Sequence, residues 1–269
     1  MAQFTGLTDA QWQLLEPWIP IYPFVRRKGH LPADPRRTLN SICWILITGA
    51  RWCDLPKGPQ WGSRTASHRW LGIWVENGVW EKVLIALQEI ADIAKMIDYE
   101  RLSVDGFFSA GKGGGKGVEY GYKGKGVTSH VLADGHGNPL QTTATGAAGD
   151  ERQEVIPLLK KIVRWLKPLI GRGKTPLLET DKGYDAKDPR IAVLLMRIFR
   201  MIPYRQRGSK QKNGTNYLGR KMWIVERAIF WLQRKFRRVA IRWKREPKYW
   251  KGFLHLALIY FWMQRLLGL

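Results

Sequence analysis

The chain has 269 residues, 45% of them hydrophobic, which is ample for a packed core and too many for a solvated basic tail. Its 45 Lys and Arg stand against 22 Asp and Glu, a formal charge of +23 with a pI near 10.3. That excess goes beyond what solubility requires and points to a polyanionic partner, nucleic acid first, although ribosomal, chromatin and membrane-surface proteins share it.

Only Cys43 and Cys53 occur, which cannot form a four-ligand zinc site by themselves and need not be paired. The opening MAQFTGLTDAQW lacks the basic-then-apolar layout of a signal peptide. Near the end, GFLHLALIYFWMQRLLGL is strongly apolar, but His255, Gln264 and Arg265 interrupt it, which favours a buried terminal helix over a membrane span. A cytoplasmic protein with no membrane partner is expected.

Residues 1 to about 100 read as helices. Thr8 can cap the first, with Gln11 reaching back in a capping box and Trp12 and Leu15 on its apolar side, until Pro17 and Pro20 stop it. A second helix runs near Pro35 to Thr48, with Leu39, Ile42, Cys43 and Leu46 on one face. A third runs from about Ser63 to Asn77-Gly78, and a fourth from Val79 to Met96. The Gly- and Pro-rich linker GARWCDLPKGPQWGS between the second and third leaves two readings open. One is a loose helix-turn-helix presenting Arg64, Thr65, Ser67, His68 and Arg69 to DNA, and the other is a purely structural bundle.

From residue 101 the period changes. RLSVDGFFS, VTSHVLA and PLQTTAT are short β-type runs, the last two joined by the turn Asp134-Gly135-His136-Gly137-Asn138. A helix from about Asp150 to Leu166, the apolar run PLLETD, a helix near Asp188 to Arg197, a strand at Ile198 to Pro203 and a long helix from about Arg220 to Val239 follow. This order suits an α/β domain with a mixed sheet flanked by helices. The segment GKGGGKGVEYGYKGKG reads as a flexible loop, because it lacks the strand-to-helix context of a phosphate-binding motif.

Three carboxylates stand out. Asp105 follows the apolar alternation Leu102, Val104 inside a strand, where aspartate is unfavourable unless it is an edge residue or a ligand. Asp181 ends PLLETD where a strand gives way to a loop, the place where ligands gather in α/β sheets. Glu226 is the only carboxylate between Pro189 and Arg245, at the rim of a stripe made by Met222, Val225, Ile229, Leu232, Phe236 and Val239. Singly, each has an ordinary reading as a turn former, a cap or a salt bridge. Together they supply the hard oxygen ligands that two magnesium ions need for phosphodiester chemistry without a covalent nucleophile. Glu179, Asp185, Asp134, Asp150 and Glu151 read as turn, cap or surface groups.

In order along the chain, LTDAQWQLLEPWIP, GARWCDLP, SHRWLGIWVENGVWEKVL, VDGFFSAGKGGG, HVLADGHGNPLQTTATGAAGDERQEVIPLL, DKGYDA and WIVERAIFWLQRKFRRVAIRW with FLHLALI resemble the insertion-sequence transposases that carry a DDE triad. The resemblance covers nearly all of the chain. It implies a helical region at 1–100 that helps bind element ends and a ribonuclease H-like catalytic domain at 101–269. It makes Asp105, Asp181 and Glu226 the ligands of two Mg2+ ions, with Mn2+ as a substitute. Arg234 or Lys235 would hold DNA phosphate, Lys182 and Tyr184 would position substrate, and Arg64 and Arg69 would serve end binding. The implied partners are double-stranded DNA, as terminal inverted repeats and as target, and further copies of the chain in a dimer or larger assembly at the nucleoid. One departure is Met222, where the family often has arginine, with Arg220 and Lys221 just before it and Tyr217 a little early. The rival readings are a catalytically inactive DNA-binding relative and a nuclease of the same fold.

Overall fold

A computed structural model describes residues 4–20, 33–204 and 222–269. The N-terminal helices form where capping chemistry places them. Thr8 caps α1 (Asp9–Leu15) in a capping box with Gln11, Asp34 caps α2 (Pro35–Thr48), and Ser63 caps α3 (Arg64–Glu76). Left-handed Gly78 turns the chain directly into α4 (Val79–Ile93).

Among the described residues six strands follow in one sheet: β1 (Arg101–Ala110), β2 (Glu119–Gly121), β3 (Gly124–Asp134), β4 (Pro139–Gly146), β5 (Leu177–Thr180) and β6 (Phe199–Met201). β1 and β3 pair antiparallel, and β2 and β4 share the far edge of β3 in succession. On the other side of β1 the sheet turns parallel, β1 to β5 to β6. The crossovers that parallel pairing requires are α5 (Val155–Gly171) and α6 (Lys187–Leu195). Three antiparallel strands continued by two parallel ones, in the order β4-β3-β1-β5-β6, make a ribonuclease H-like sheet.

The expected long helix from Arg220 to Val239 is two. α7 (Trp223–Lys235) ends where Phe236 adopts φ −115°, ψ 96°, and α8 (Arg237–Ala240) follows, while residues 220–221 lie outside the described residues. Phe236 is wholly buried, in edge-on contact with Trp231 and Tyr260, so its packing fixes the bend against local helix propensity. The terminal apolar run forms α9 (Pro247–Leu266), which packs against α3, α4 and β4 and whose Trp262 indole donates to the Pro139 carbonyl at 3.0 Å. Its apolar length is thus spent inside the protein, and among the described residues no helix is long and apolar enough to cross a membrane.

Candidate active site

Strand register brings the first two carboxylates together. Val104 of β1 pairs with Thr180 of β5, so Asp105 and Asp181 each lie one residue past that pair on adjacent parallel strands, whose backbones run about 4.8 Å apart. Alternation along β1 puts Asp105 on the same face as Ser109, and Ser109 donates to the Val239 carbonyl at 2.8 Å. The α7–α8 layer therefore covers the Asp105 face, and α7 carries Glu226 there, exposed in its first turn. Lys182 is exposed beside Asp181, whose side chain caps the short turn Lys182–Tyr184 by accepting from the Gly183 N–H.

A fourth carboxylate, read from the sequence as a turn or surface group, belongs to this cluster. Glu151 Oε2 and Asp181 Oδ1 both lie 3.1 Å from the point where a Cβ on Gly183 would stand. They face one another across a cleft of about 450 Å³ between the Ala148–Arg152 turn and Asp181–Gly183. Asp150 and Glu154 flank Glu151 in sequence, and nothing local distinguishes the three. Asp150 is the ordinary cap that sequence predicts, ion-paired with Arg152 at 2.6 Å. A depression of about 500 Å³ at the start of α7 is lined by Lys95, Arg227 and Arg265 with no carboxylate, so it is no cation site.

The electrostatics single out Asp105. Burial pushes its carboxyl up to about 6, the Gly106 N–H opposes that at 2.7 Å, and Asp181, Glu226 and Glu151 raise it further. Among the described residues, the charges that shift it are thus all of its own sign. Burial likewise raises Glu151, with Asp181 adding to the effect.

On the opposite face of β1 lies a network that sequence reading missed. His130, paired with Gly106 and wholly buried, meets the Tyr184 hydroxyl at Nδ1, 2.9 Å, and Thr145 Oγ1 at Nε2, 3.2 Å. Burial holds its pKa down at about 4, so the imidazole is neutral at physiological pH. A Cβ on Gly106 would stand 3.1 Å from both His130 Nδ1 and the Tyr184 hydroxyl, so glycine makes room for the pair. Tyr184, expected to position substrate, is itself buried and points at His130, which leaves it a hold on the Asp181 turn and no direct reach to DNA.

The remaining expected DNA contacts are scattered. Arg64 and Arg69 are exposed on α3, and Arg234 is exposed at the end of α7. Lys235 is half-buried, its ammonium 5.5 Å from the Tyr260 ring. Met222 packs into the core and cannot take the phosphate contact of an arginine, and Tyr217, Arg220 and Lys221 lie outside the described residues.

A family model for the transposase DDE domain matches residues 97–262, more than half of the chain, and one described as "Putative transposase of IS4/5 family" matches residues 7–84. The chain belongs to the DDE transposase family. A "Putative transposase for insertion sequence element IS402" from Burkholderia cepacia is 32% identical to this transposase over 137 residues, 49% of this chain and 60% of that protein. An uncharacterized 16.2 kDa protein of the same insertion element is 37% identical over 102 residues, 37% of this chain and 69% of the other. Among solved structures, the catalytic domain of Mos1 mariner transposase aligns at 11% identity with a TM-score of 0.30, over 70% of this chain and 91% of that one.

Transposases of this family generally use a divalent metal. The donor chemistry here fits one, since the set is carboxylate oxygen throughout and Asp105 is desolvated, with like charges acting on it and no balancing cation among the described residues. Among the described residues, no three of these groups stand close enough together to hold an ion as they are.

Proposed function

We propose that this transposase cleaves DNA at the ends of its own insertion sequence and joins the exposed hydroxyl to a target phosphodiester, with Asp105, Asp181 and Glu226 as its metal ligands. The observation that carries this reading is the register. It sets two aspartates side by side at the point where β5 ends beside β1 and lays the helix bearing Glu226 over the same face.

Bound divalent cations, two Mg2+ ions with Mn2+ as a substitute, supply charge that acidifies the attacking hydroxyl and stabilises the departing oxygen. The protein's own part is to fix the donors. Asp105 is held by a ten-residue central strand, Asp181 by a turn tied through Tyr184 to His130, and Glu226 by a helix with a buried stripe. The helical region at 1–100, with Arg64 and Arg69 outward on α3, binds the element's terminal repeats, while Lys182 and Arg234 lie near the strand being cut. Two ends joined in concert require a dimer or larger assembly, acting at the cytoplasmic nucleoid.

The test uses labelled DNA carrying the element ends, with magnesium or with chelator, and compares wild type with Asp105→Ala, Asp181→Ala and Glu226→Ala. Magnesium-dependent cutting and joining, lost in all three variants, is the expected result. Binding without cutting by wild type overturns the reading in favour of a non-catalytic DNA-binding protein, and cutting without joined product reduces it to a nuclease.

A further inference from the structure

The segment GKGGGKGVEYGYKGKG is not a flexible loop. β2 and the start of β3 make a tight hairpin in which Tyr120 pairs with Lys125. Its base is tied down by hydrogen bonds from the Gly111 N–H to the Lys125 carbonyl and from the Ala147 N–H to the Gly126 carbonyl, at 2.9 and 3.2 Å. The glycine arm ahead of it is equally built. A Cβ on Gly113 would fall 1.9 Å from the Trp243 carbonyl oxygen and one on Gly115 would fall 2.4 Å from that of Arg245, so only glycine lets the two backbones approach. Arg242 fastens the arm by donating to the carbonyls of Lys116, Lys244 and Arg245.

So rigid a hairpin displays groups with no use inside the protein. Tyr120 is 76% exposed and Tyr122 fully so, exposed Lys123 follows in the turn, and exposed Lys125 pairs with Tyr120 across the hairpin with its ammonium 5.4 Å from the Tyr120 ring. Its position is what gives this display meaning. A Cβ on Gly121 would collide with the Ala147 carbonyl, so the hairpin packs directly on the residue that leads into the Ala148–Arg152 turn, where Glu151 faces Asp181 across the cleft, and it stands beside the carboxylate cluster.

We infer that the Glu119–Lys125 hairpin is a clamp on the DNA strand beside the scissile phosphate, with Lys123 and Lys125 on backbone phosphates and Tyr120 and Tyr122 stacked on bases unpaired at the cut. Paired bases bury their faces in the duplex stack and leave tyrosine nothing to lie against, whereas an unpaired base of any identity offers one. This inference rests on the proposed transposase reading, from which it takes DNA as the substrate.

The test measures binding of two end duplexes in chelator, one fully paired and one with a few unpaired nucleotides at the cut, by wild type, Y120A/Y122A, Y120F/Y122F and K123A/K125A. Wild type prefers the unpaired substrate. Y120A/Y122A loses that preference and binds it roughly tenfold to a hundredfold more weakly, while Y120F/Y122F, which keeps the rings, retains it. K123A/K125A weakens both substrates and lowers the salt slope by about 2. Unchanged preference in Y120A/Y122A, or an unchanged slope in K123A/K125A, overturns the clamp. Cutting by wild type in magnesium is followed separately, so its failure would sink the transposase reading without deciding the binding comparison. All four proteins share an unaltered core, and matching circular dichroism melts establish that they are folded.

Discussion

Successive residues of β1 face opposite environments. On one side Gly106 makes room for His130, Tyr184 and Thr145, a buried polar chain in which both imidazole nitrogens have partners. On the other side Asp105 is half-buried, with Asp181, Glu226 and Glu151 acting on it, and among the described residues it accepts from the Gly106 N–H. Satisfied buried polar groups fix geometry, whereas a desolvated acid surrounded by acids is stable only when something else supplies positive charge. The contrast assigns structure to one face of the sheet and chemistry to the other, and substitutions on the two faces should move stability in opposite directions.

The largest effect is expected on the chemical face. Asp105→Asn, Asp181→Asn or Glu226→Gln should each lower magnesium-dependent cutting by about a thousandfold or more, since each removes a charged donor from the proposed metal site. Affinity for end DNA should change little, because removing an acid from a basic protein costs no phosphate contact. A variant that lost cutting and binding together would place that carboxylate in the fold and not in the reaction.

Asp105→Asn should also make the metal-free protein more stable. A carboxyl held at about 6 against an ordinary 3.8 opposes folding at neutral pH by up to about 3 kcal/mol, and the amide is free of that penalty. The sign is specific. Below pH 6 the folded state takes up the proton first, so wild type gains stability from this group as pH falls, and the variant's advantage should shrink to nothing near pH 4. His130 works the other way over the same window, because the unfolded chain protonates near 6.5 while the folded imidazole resists until about 4. The variant should therefore lose stability more steeply than wild type between pH 6 and 4, which urea melts at stepped pH would register. Parallel curves would mean that Asp105 is not electrostatically strained. In activity the same proton competes with the metal, so cutting should fall below about pH 6 and recover with added magnesium.

Much of this was legible in the sequence, but unevenly. The cap at Thr8, the helix start near Ser63, the Asp134 turn and the strands around Asp105 follow from local rules, and the structure reproduces them. Asp105 was conspicuous because an acid inside an apolar alternation violates β-propensity, and Glu226 because it is alone among cations. Glu151 and His130 carry no such signal. Glu151 sits in a run of acids, and only the approach of the Ala148–Arg152 turn to Asp181 separates it from its neighbours. A histidine within VTSHVLA looks like any β-strand residue until register sets it opposite a glycine. The Gly-Lys segment misled for the opposite reason, since glycines that read as freedom are there for close approach to Trp243 and Arg245. Such non-local contacts leave no periodic trace in a single chain.

The smallest effect belongs to the satisfied face. Tyr184→Phe keeps the ring in place and removes only the hydroxyl, leaving His130 Nδ1 buried without its partner, at a cost of about 1–3 kcal/mol. If the pair acts as one unit, adding His130→Ala should cost less than the sum of the single changes, with a coupling of about 1 kcal/mol in a double-mutant cycle. Because Tyr184 ends the turn that Asp181 caps, its loss should also loosen that donor and weaken magnesium binding by roughly tenfold, the usual price of removing a group behind a metal ligand. Affinity for DNA should be unchanged, since the hydroxyl points into the protein. One set of metal-free melts then decides the matter. Tyr184→Phe should fall below wild type and Asp105→Asn should rise above it, and a shift of both in the same direction would remove the distinction between a face that holds the site and a face that performs it.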